Sequence, residues 1–148
     1  MKLHVTGLNH RTAPVEVRER IAFSDAALPA ALRELRDREG FHEGLILSTC
    51  NRVEIAVTAD DQVDVQRSLE EFLGQARNLE RRKLSGHLYG YDDRDAIRHL
   101  FRVASSLDSM VLGEPQILGQ LKQAYAVAKH EGAVGGYLDT VLTLSLIH

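Results

Sequence analysis

Apolar and polar residues alternate from Leu3 to Asn9, which predicts a first strand with Leu3, Val5 and Gly7 on one face. The pattern breaks at Asn9-His10-Arg11-Thr12-Ala13-Pro14, where Thr12 as N-cap and Pro14 in the first turn start a short helix carrying Val15, Val17 and Ile21. Ser24 and Asp25 cap a second helix over 26–38, in which Leu28, Ala31, Leu32 and Leu35 form an apolar stripe that ends at Gly40. Residues 44–49 are almost wholly apolar, as in a central strand, and 52–59 alternate through Val53, Ile55 and Val57. A helix over 61–75 with Val65, Leu69, Phe72 and Leu73 follows, then a charged stretch and a short strand at 87–90. This order, βαββαβ, is the ferredoxin-like arrangement.

From Asp92 onward the period is helical only. Ile97, Leu100, Phe101, Ala104 and Leu107 fall on one face of a helix that places His99 on its polar or boundary side, beside Arg98 and Arg102. Pro115 opens another helix with Ile117, Leu121, Ala124 and Ala128 inward. The last segment, Tyr137 to Ile147, is apolar and reaches the chain end without a polar stop, which reads as a cut within a longer protein. The expected architecture is α+β: a ferredoxin-like sheet subdomain over 1–91 and a helical subdomain over 92–148 that completes its pocket.

Composition narrows the classes. The 148 residues, 44% hydrophobic and 26% charged, suit a folded globular body. A single cysteine allows no internal disulfide and points to the cytoplasm, and no apolar run is long enough for a membrane span. A net charge of −3 argues against nucleic-acid binding by a broad basic field. Arg33, Arg36 and Arg38, and the run Arg77, Arg81, Arg82 and Lys83, are interspersed with acids and read as solvated helix faces.

The chemistry concentrates at Ser48-Thr49-Cys50-Asn51-Arg52. The only thiol sits in a tight connection between two strands, flanked by hydroxyl, amide and guanidinium groups, where a nucleophile faces a crevice; a small buried hydrophobe is the competing reading. Glu114 is a poor N-cap before Pro115, which invites a functional explanation, and Gln116, Gln120 and Gln123 recur opposite the apolar stripe. Gly119 within that helix suggests a close approach by something large. The histidines show no metal-binding spacing, and no glycine-rich strand-to-helix turn for a dinucleotide or nucleoside triphosphate is present.

Gly7-Leu8-Asn9-His10-Arg11-Thr12-Ala13-Pro14, Ser48 to Arg52, and His99 to Ser109 running into Gly113-Glu114-Pro115-Gln116-Ile117-Leu118-Gly119-Gln120 together resemble the glutamyl-tRNA reductase family. The resemblance covers the N-terminal catalytic domain; the NADPH-binding and dimerisation domains of the family have no counterpart in the sequence. It implies that Cys50 attacks the ester carbonyl of glutamyl-tRNA, and that NADPH reduces the resulting thioester to glutamate-1-semialdehyde for tetrapyrrole (heme) synthesis. It also implies that Thr49, Asn51, Arg52, Ser109, Glu114, Pro115, Gln116 and Gln120 line the glutamyl pocket. In that pocket Arg52 forks to the substrate carboxylate and Glu114 takes its ammonium group. His99 is implied as a second catalytic residue, acting either on the thiol or on the leaving oxygen. The implied partners are glutamyl-tRNA, the aminomutase that consumes glutamate-1-semialdehyde, and a second copy in the full-length homodimer. Two rival readings stand beside this one: a non-catalytic module binding aminoacyl-tRNA or protein with Cys50 inert, and a fragment that self-associates through its apolar end.

Overall fold

The computed structural model of the chain describes residues 1–105 and 117–146. Four strands, β1 (Lys2–Asn9), β2 (Phe41–Ser48), β3 (Arg52–Ala59) and β4 (Tyr89–Asp92), form one sheet in the order β2-β3-β1-β4. Every pairing in it is antiparallel. Helices α1 (Val15–Ile21) and α2 (Leu28–Arg36) connect β1 to β2, while α3 (Val65–Arg77) and α4 (Arg81–Ser85) connect β3 to β4. The ferredoxin-like expectation holds: the connection β1 to β2 passes over β3, and that from β3 to β4 passes over β1.

The local starts differ from the sequence reading, for identifiable reasons. Thr12 does not cap α1; its hydroxyl accepts the N–H of Asn9 at 3.0 Å, while the Asn9 side chain accepts the N–H of Arg11 at 2.9 Å. Both side chains close the turn after β1 instead. Ser24 organises a turn by accepting the N–H of Ala27, and α2 starts only at Leu28. Strand β4 begins two residues later than expected because α4, anchored by the fully buried Leu84, takes up the preceding chain.

A second helical layer covers the other face of the sheet: α5 (Asp93–Ala104), α6 (Ile117–His130) and α7 (Tyr137–Leu146). Register fixes what each layer meets. Gly7 lies opposite Glu54, Val5 opposite Ala56, Leu47 opposite Glu54 and Glu43 opposite Thr58, so these side chains share the face under α5, α6 and α7. Gly44, opposite Val57, lies on the reverse face against α2, where a Cβ would come within 2.7 Å of Leu35. With helices on both sides, β3 is buried along its whole length, including Arg52, Glu54 and Thr58. Gly7 is required by contact as well: a Cβ there would meet the Val53 carbonyl at 2.6 Å.

Glu43 fastens α7 to the sheet. Its carboxylate accepts the backbone N–H groups of Gly135, Gly136, Leu138 and Asp139 at 2.8–3.2 Å, and the Thr58 hydroxyl at 3.0 Å. The start of a helix leaves such N–H groups without intrahelical acceptors, and a carboxylate there also meets the positive end of the helix dipole. Burial raises the carboxyl pKa, but the four backbone donors outweigh it and hold it below the ordinary carboxylate range. Among the described residues no helix is long and apolar enough to cross a membrane.

A group with a lowered pKa contributes stability that is complete above its unfolded-state pKa and disappears as pH falls through the folded value. Glu43→Ala is therefore expected to cost about 2–3 kcal/mol at neutral pH in urea denaturation. The gap from wild type is expected to close below the carboxylate range. A gap independent of pH would contradict an ionised anchor.

Candidate active site

The β2–β3 connection is shaped by Thr49. Its hydroxyl accepts the N–H groups of Asn51 and Arg52, both at 3.1 Å, and its own N–H donates to the Arg52 carbonyl at 2.8 Å. Side-chain acceptance of two successive backbone donors fixes a tight turn without a positive φ at Cys50 or Asn51. Cys50 is thereby held exposed at the tip. The base is tied down from the other side, where Ser48 Oγ accepts the Phe23 N–H at 2.9 Å.

Behind this tip runs a buried ionic chain. Arg52 is completely buried, and one of its guanidinium nitrogens donates to Glu54 Oε2 at 2.8 Å. The other Glu54 oxygen is bonded to His99 Nε2 on α5. Burial raises the Glu54 pKa; the hydrogen bond and charge of His99, and then the Arg52 guanidinium, more than reverse this, and the net direction is down. With an ionised carboxylate as acceptor, His99 is the donor from Nε2. Its ring stacks on Tyr91 at 4.7 Å between centroids and tilts against Tyr89 at 5.4 Å, so β4 fixes the imidazole plane.

His99 is thus buried, not on the polar or boundary side that the stripe Ile97-Leu100-Phe101-Ala104 implied. The buried arc of α5 is Ala96, His99, Leu100, Val103 and Ala104, rotated away from Ile97 and Phe101, which are only half-buried. The rotation has a cause in the sheet: Glu54 lies under α5 and needs a partner there, because an unpaired buried carboxylate is costly. Glu54 is the site residue the sequence reading passed over. The only signal for it was Arg52 and Glu54 in phase on a strand whose other face carried Val53, Ile55 and Val57.

Thr49, Cys50, Asn51 and Arg52 occupy the hairpin, and His99 joins them through Glu54, about 7 Å further along the strand than Arg52. Gln120 reaches the same strand end from α6, in a cleft of about 270 Å³ that Asp25, Leu47, Ser48 and Gln123 also line. Gly119 is exposed, and a Cβ there would meet nothing within 4 Å, so no described residue takes the close approach its presence suggested. Ser109, Glu114, Pro115 and Gln116 lie outside the described residues. Among the described residues no three His, Cys, Asp or Glu side chains converge as metal ligands. Nor do they fit a dinucleotide: Gly135 and Gly136 follow a helix, and their N–H groups are taken by Glu43.

Removing the shared carboxylate leaves the Arg52 guanidinium buried without that counter-charge and the His99 N–H without its acceptor. Glu54→Ala is expected to cost about 3–5 kcal/mol in urea denaturation, more than Glu54→Gln, which keeps a hydrogen-bond acceptor. A loss below about 1 kcal/mol would show that the pair is not held as described.

Residues 6–146 match the family described as glutamyl-tRNAGlu reductase, N-terminal domain. The chain is 56% identical to the glutamyl-tRNA reductase of Solibacter usitatus over 98% of its own length and 34% of the relative's. It is 50% identical to glutamyl-tRNA reductase 2 of Koribacter versatilis over 97% of its length and 32% of that protein. The solved glutamyl-tRNA reductase from Methanopyrus kandleri superposes with a TM-score of 0.75 at 31% identity, covering 98% of this chain and 32% of that one. The chain therefore spans about a third of the length of these relatives. A match of this extent, together with a sheet and helices that superpose on that solved relative, assigns the chain to the glutamyl-tRNA reductase N-terminal domain family.

Proposed function

We propose that this chain carries out the acyl-transfer half of the glutamyl-tRNA reductase reaction of tetrapyrrole synthesis. The observation that supports it is the exposed Cys50 held at the tip of a hairpin whose last residue, Arg52, begins a buried chain through Glu54 to His99. The thiolate sulfur bonds to the ester carbonyl carbon of glutamyl-tRNA. The tetrahedral adduct collapses by breaking the bond to the ribose oxygen, which takes up a proton. Free tRNA and a glutamyl thioester on Cys50 result, with no change of oxidation state.

The Thr49 turn presents the sulfur, and the rigid backbone behind it limits the loss of orientation during attack. Arg52 supplies positive charge at the hairpin base, where its bond to Glu54 fixes it behind the Thr49 turn; because it is fully buried there, a direct fork to the substrate carboxylate is proposed on the family resemblance alone. His99 is held by Glu54 in one orientation, and in this arrangement it serves the site by way of Glu54 and Arg52. Gln120 borders the cleft beside the strand end, where an extended glutamyl side chain has room. Ser109, Glu114, Pro115 and Gln116 are proposed to complete the pocket on the family resemblance alone.

NADPH is proposed as the reductant of the thioester in the longer relatives, and supplies hydride when bound there. Among the described residues, the glycine-rich turn at Gly135 and Gly136 does not suit it, because its N–H groups are taken by Glu43. Homodimerisation, contact with an aminomutase and a cytoplasmic setting belong to the same proposal, as does the division into a sheet subdomain over 1–91 and a helical one over 92–148.

Intact mass after incubation with glutamyl-tRNA and an acid quench tests the reading. Wild type is expected to gain the mass of one glutamyl group, released by hydroxylamine, and Cys50→Ala none. Folded wild-type protein that leaves glutamyl-tRNA uncleaved and carries no adduct would overturn it in favour of a binding module.

A further inference from the structure

The arginines of this chain are spent very unevenly. Both groups that look basic in the sequence are largely neutralised in the fold: Arg33 pairs with Glu131, Arg36 with Asp37, Arg38 with Glu71, Arg81 with Glu70 and Arg82 with Glu80. Helix α5 is different. Arg94, Arg98 and Arg102 recur at intervals of four, all are exposed, and none has an ion pair or a side-chain hydrogen bond among the described residues. At 3.6 residues per turn they fall within about 80° of arc and rise about 6 Å from one to the next. That rise is comparable to the separation of successive phosphates on one nucleic-acid strand.

Their position ties them to the active site. Arg98 and Arg102 line a cleft of about 320 Å³ that also contains His99 and Tyr91, so the charged stripe borders the buried end of the ionic chain. On the opposite side the arginines flank a groove of about 500 Å³ with Ile97, Phe101 and Ser145. This groove is rich in carbon, with a half-buried aromatic ring on its wall. Guanidinium groups in file beside an apolar and aromatic surface are what a flexible RNA end uses: charge for phosphates, and flat or apolar contact for unstacked bases. Asp95 is the one acid among the residues that line the smaller cleft. In a chain of net charge −3, a patch of this kind attracts a polyanion locally while the rest of the surface does not.

We propose that Arg94, Arg98 and Arg102 on α5 form the surface that grips the phosphate backbone of the acceptor end of tRNA and feeds it toward Cys50. This rests on the reading of the chain as a glutamyl-tRNA-dependent acyl acceptor and adds to it where the RNA lies. The stripe makes electrostatic, sequence-independent contacts; discrimination among amino acids stays with the pocket.

The test is binding of uncharged, fluorescently labelled glutamate tRNA transcript, read by anisotropy across a salt series. Replacing all three by Gln is expected to weaken binding at least about tenfold at low salt. The slope of log affinity on log salt should become shallower by about 2, since each phosphate contact contributes about 0.7–0.9. Three single Gln variants are each expected to remove about one such contact, which keeps the test available if the triple variant folds poorly. Replacement by Lys should largely preserve the slope, and Arg81→Gln with Arg82→Gln should leave affinity and slope as in wild type. Equal affinity and slope in wild type and triple variant, an equal loss in the Arg81 and Arg82 control, or no binding by wild type would overturn the proposal. Because the transcript carries no amino acid, this outcome is independent of whether Cys50 forms an adduct. A failed adduct with intact salt-dependent binding refutes the acyl-transfer reading, and the reverse refutes the RNA path.

Discussion

The carboxylate of Glu54 is the constraint around which the site is built. It is buried under α5, on a face where water is excluded, and an ionised group there is tolerated only with its lone pairs occupied and its charge balanced. Arg52 from its own strand and His99 from the helix above meet that requirement. As a result α5 is rotated so that a histidine, not Ile97 or Phe101, faces the sheet. The same rotation turns Arg94, Arg98 and Arg102 outward together, and it brings the imidazole against the tyrosines of β4. One buried charge thus sets the orientation of a helix, the plane of a histidine and the direction of a basic surface.

A second carboxylate on the same sheet face works in parallel. Glu43 lies on β2 and collects the free N–H groups at the start of α7, much as Glu54 collects side-chain donors from β3 and α5. The second helical layer is therefore fastened to the sheet by polar contacts at two places and by apolar packing between them, through Leu3, Val5, Leu45, Leu100, Leu138 and Leu142. Polar anchors add less net energy than apolar ones, but they are directional, and direction is what a site with several side chains in register needs. The hairpin follows the same economy: Thr49 and Ser48 use hydroxyls to fix the backbone, leaving the thiol as the exposed group at the tip.

Much of this was legible in the residues. The strand and helix order, the face shared by Leu3, Val5 and Gly7, and the tight connection around Cys50 follow from period and punctuation, and those signals are local. What escaped the sequence is tertiary. Alternation on β3 marks Val53, Ile55 and Val57 as inward and so leaves Arg52 and Glu54 outward; only the arrival of α5 on that face makes them buried. His99 was misplaced for the same reason, since a helical stripe centred on the bulkiest residues does not know that a carboxylate waits beneath it. Ion pairing was partly hidden: the basic runs read as solvated helix faces among acids, and while Asp37 for Arg36 and Glu80 for Arg82 are near in sequence, Glu131 for Arg33 and Glu71 for Arg38 come from distant segments. Thr12 and Ser24 were correctly seen as polar punctuation but serve turns instead of helix caps.

The central claim is that His99 reaches the thiol through Glu54 and Arg52, as one positioning unit. A double-mutant cycle on the rate of Cys50 thioester formation from glutamyl-tRNA tests it most directly, with Glu54→Gln, His99→Gln and the pair compared in folded protein. If the unit exists, each single substitution lowers the rate and the pair is hardly worse than the poorer single, because breaking one link already breaks the chain. Losses that simply multiply would contradict it and would mean that His99 and Glu54 act on the reaction independently.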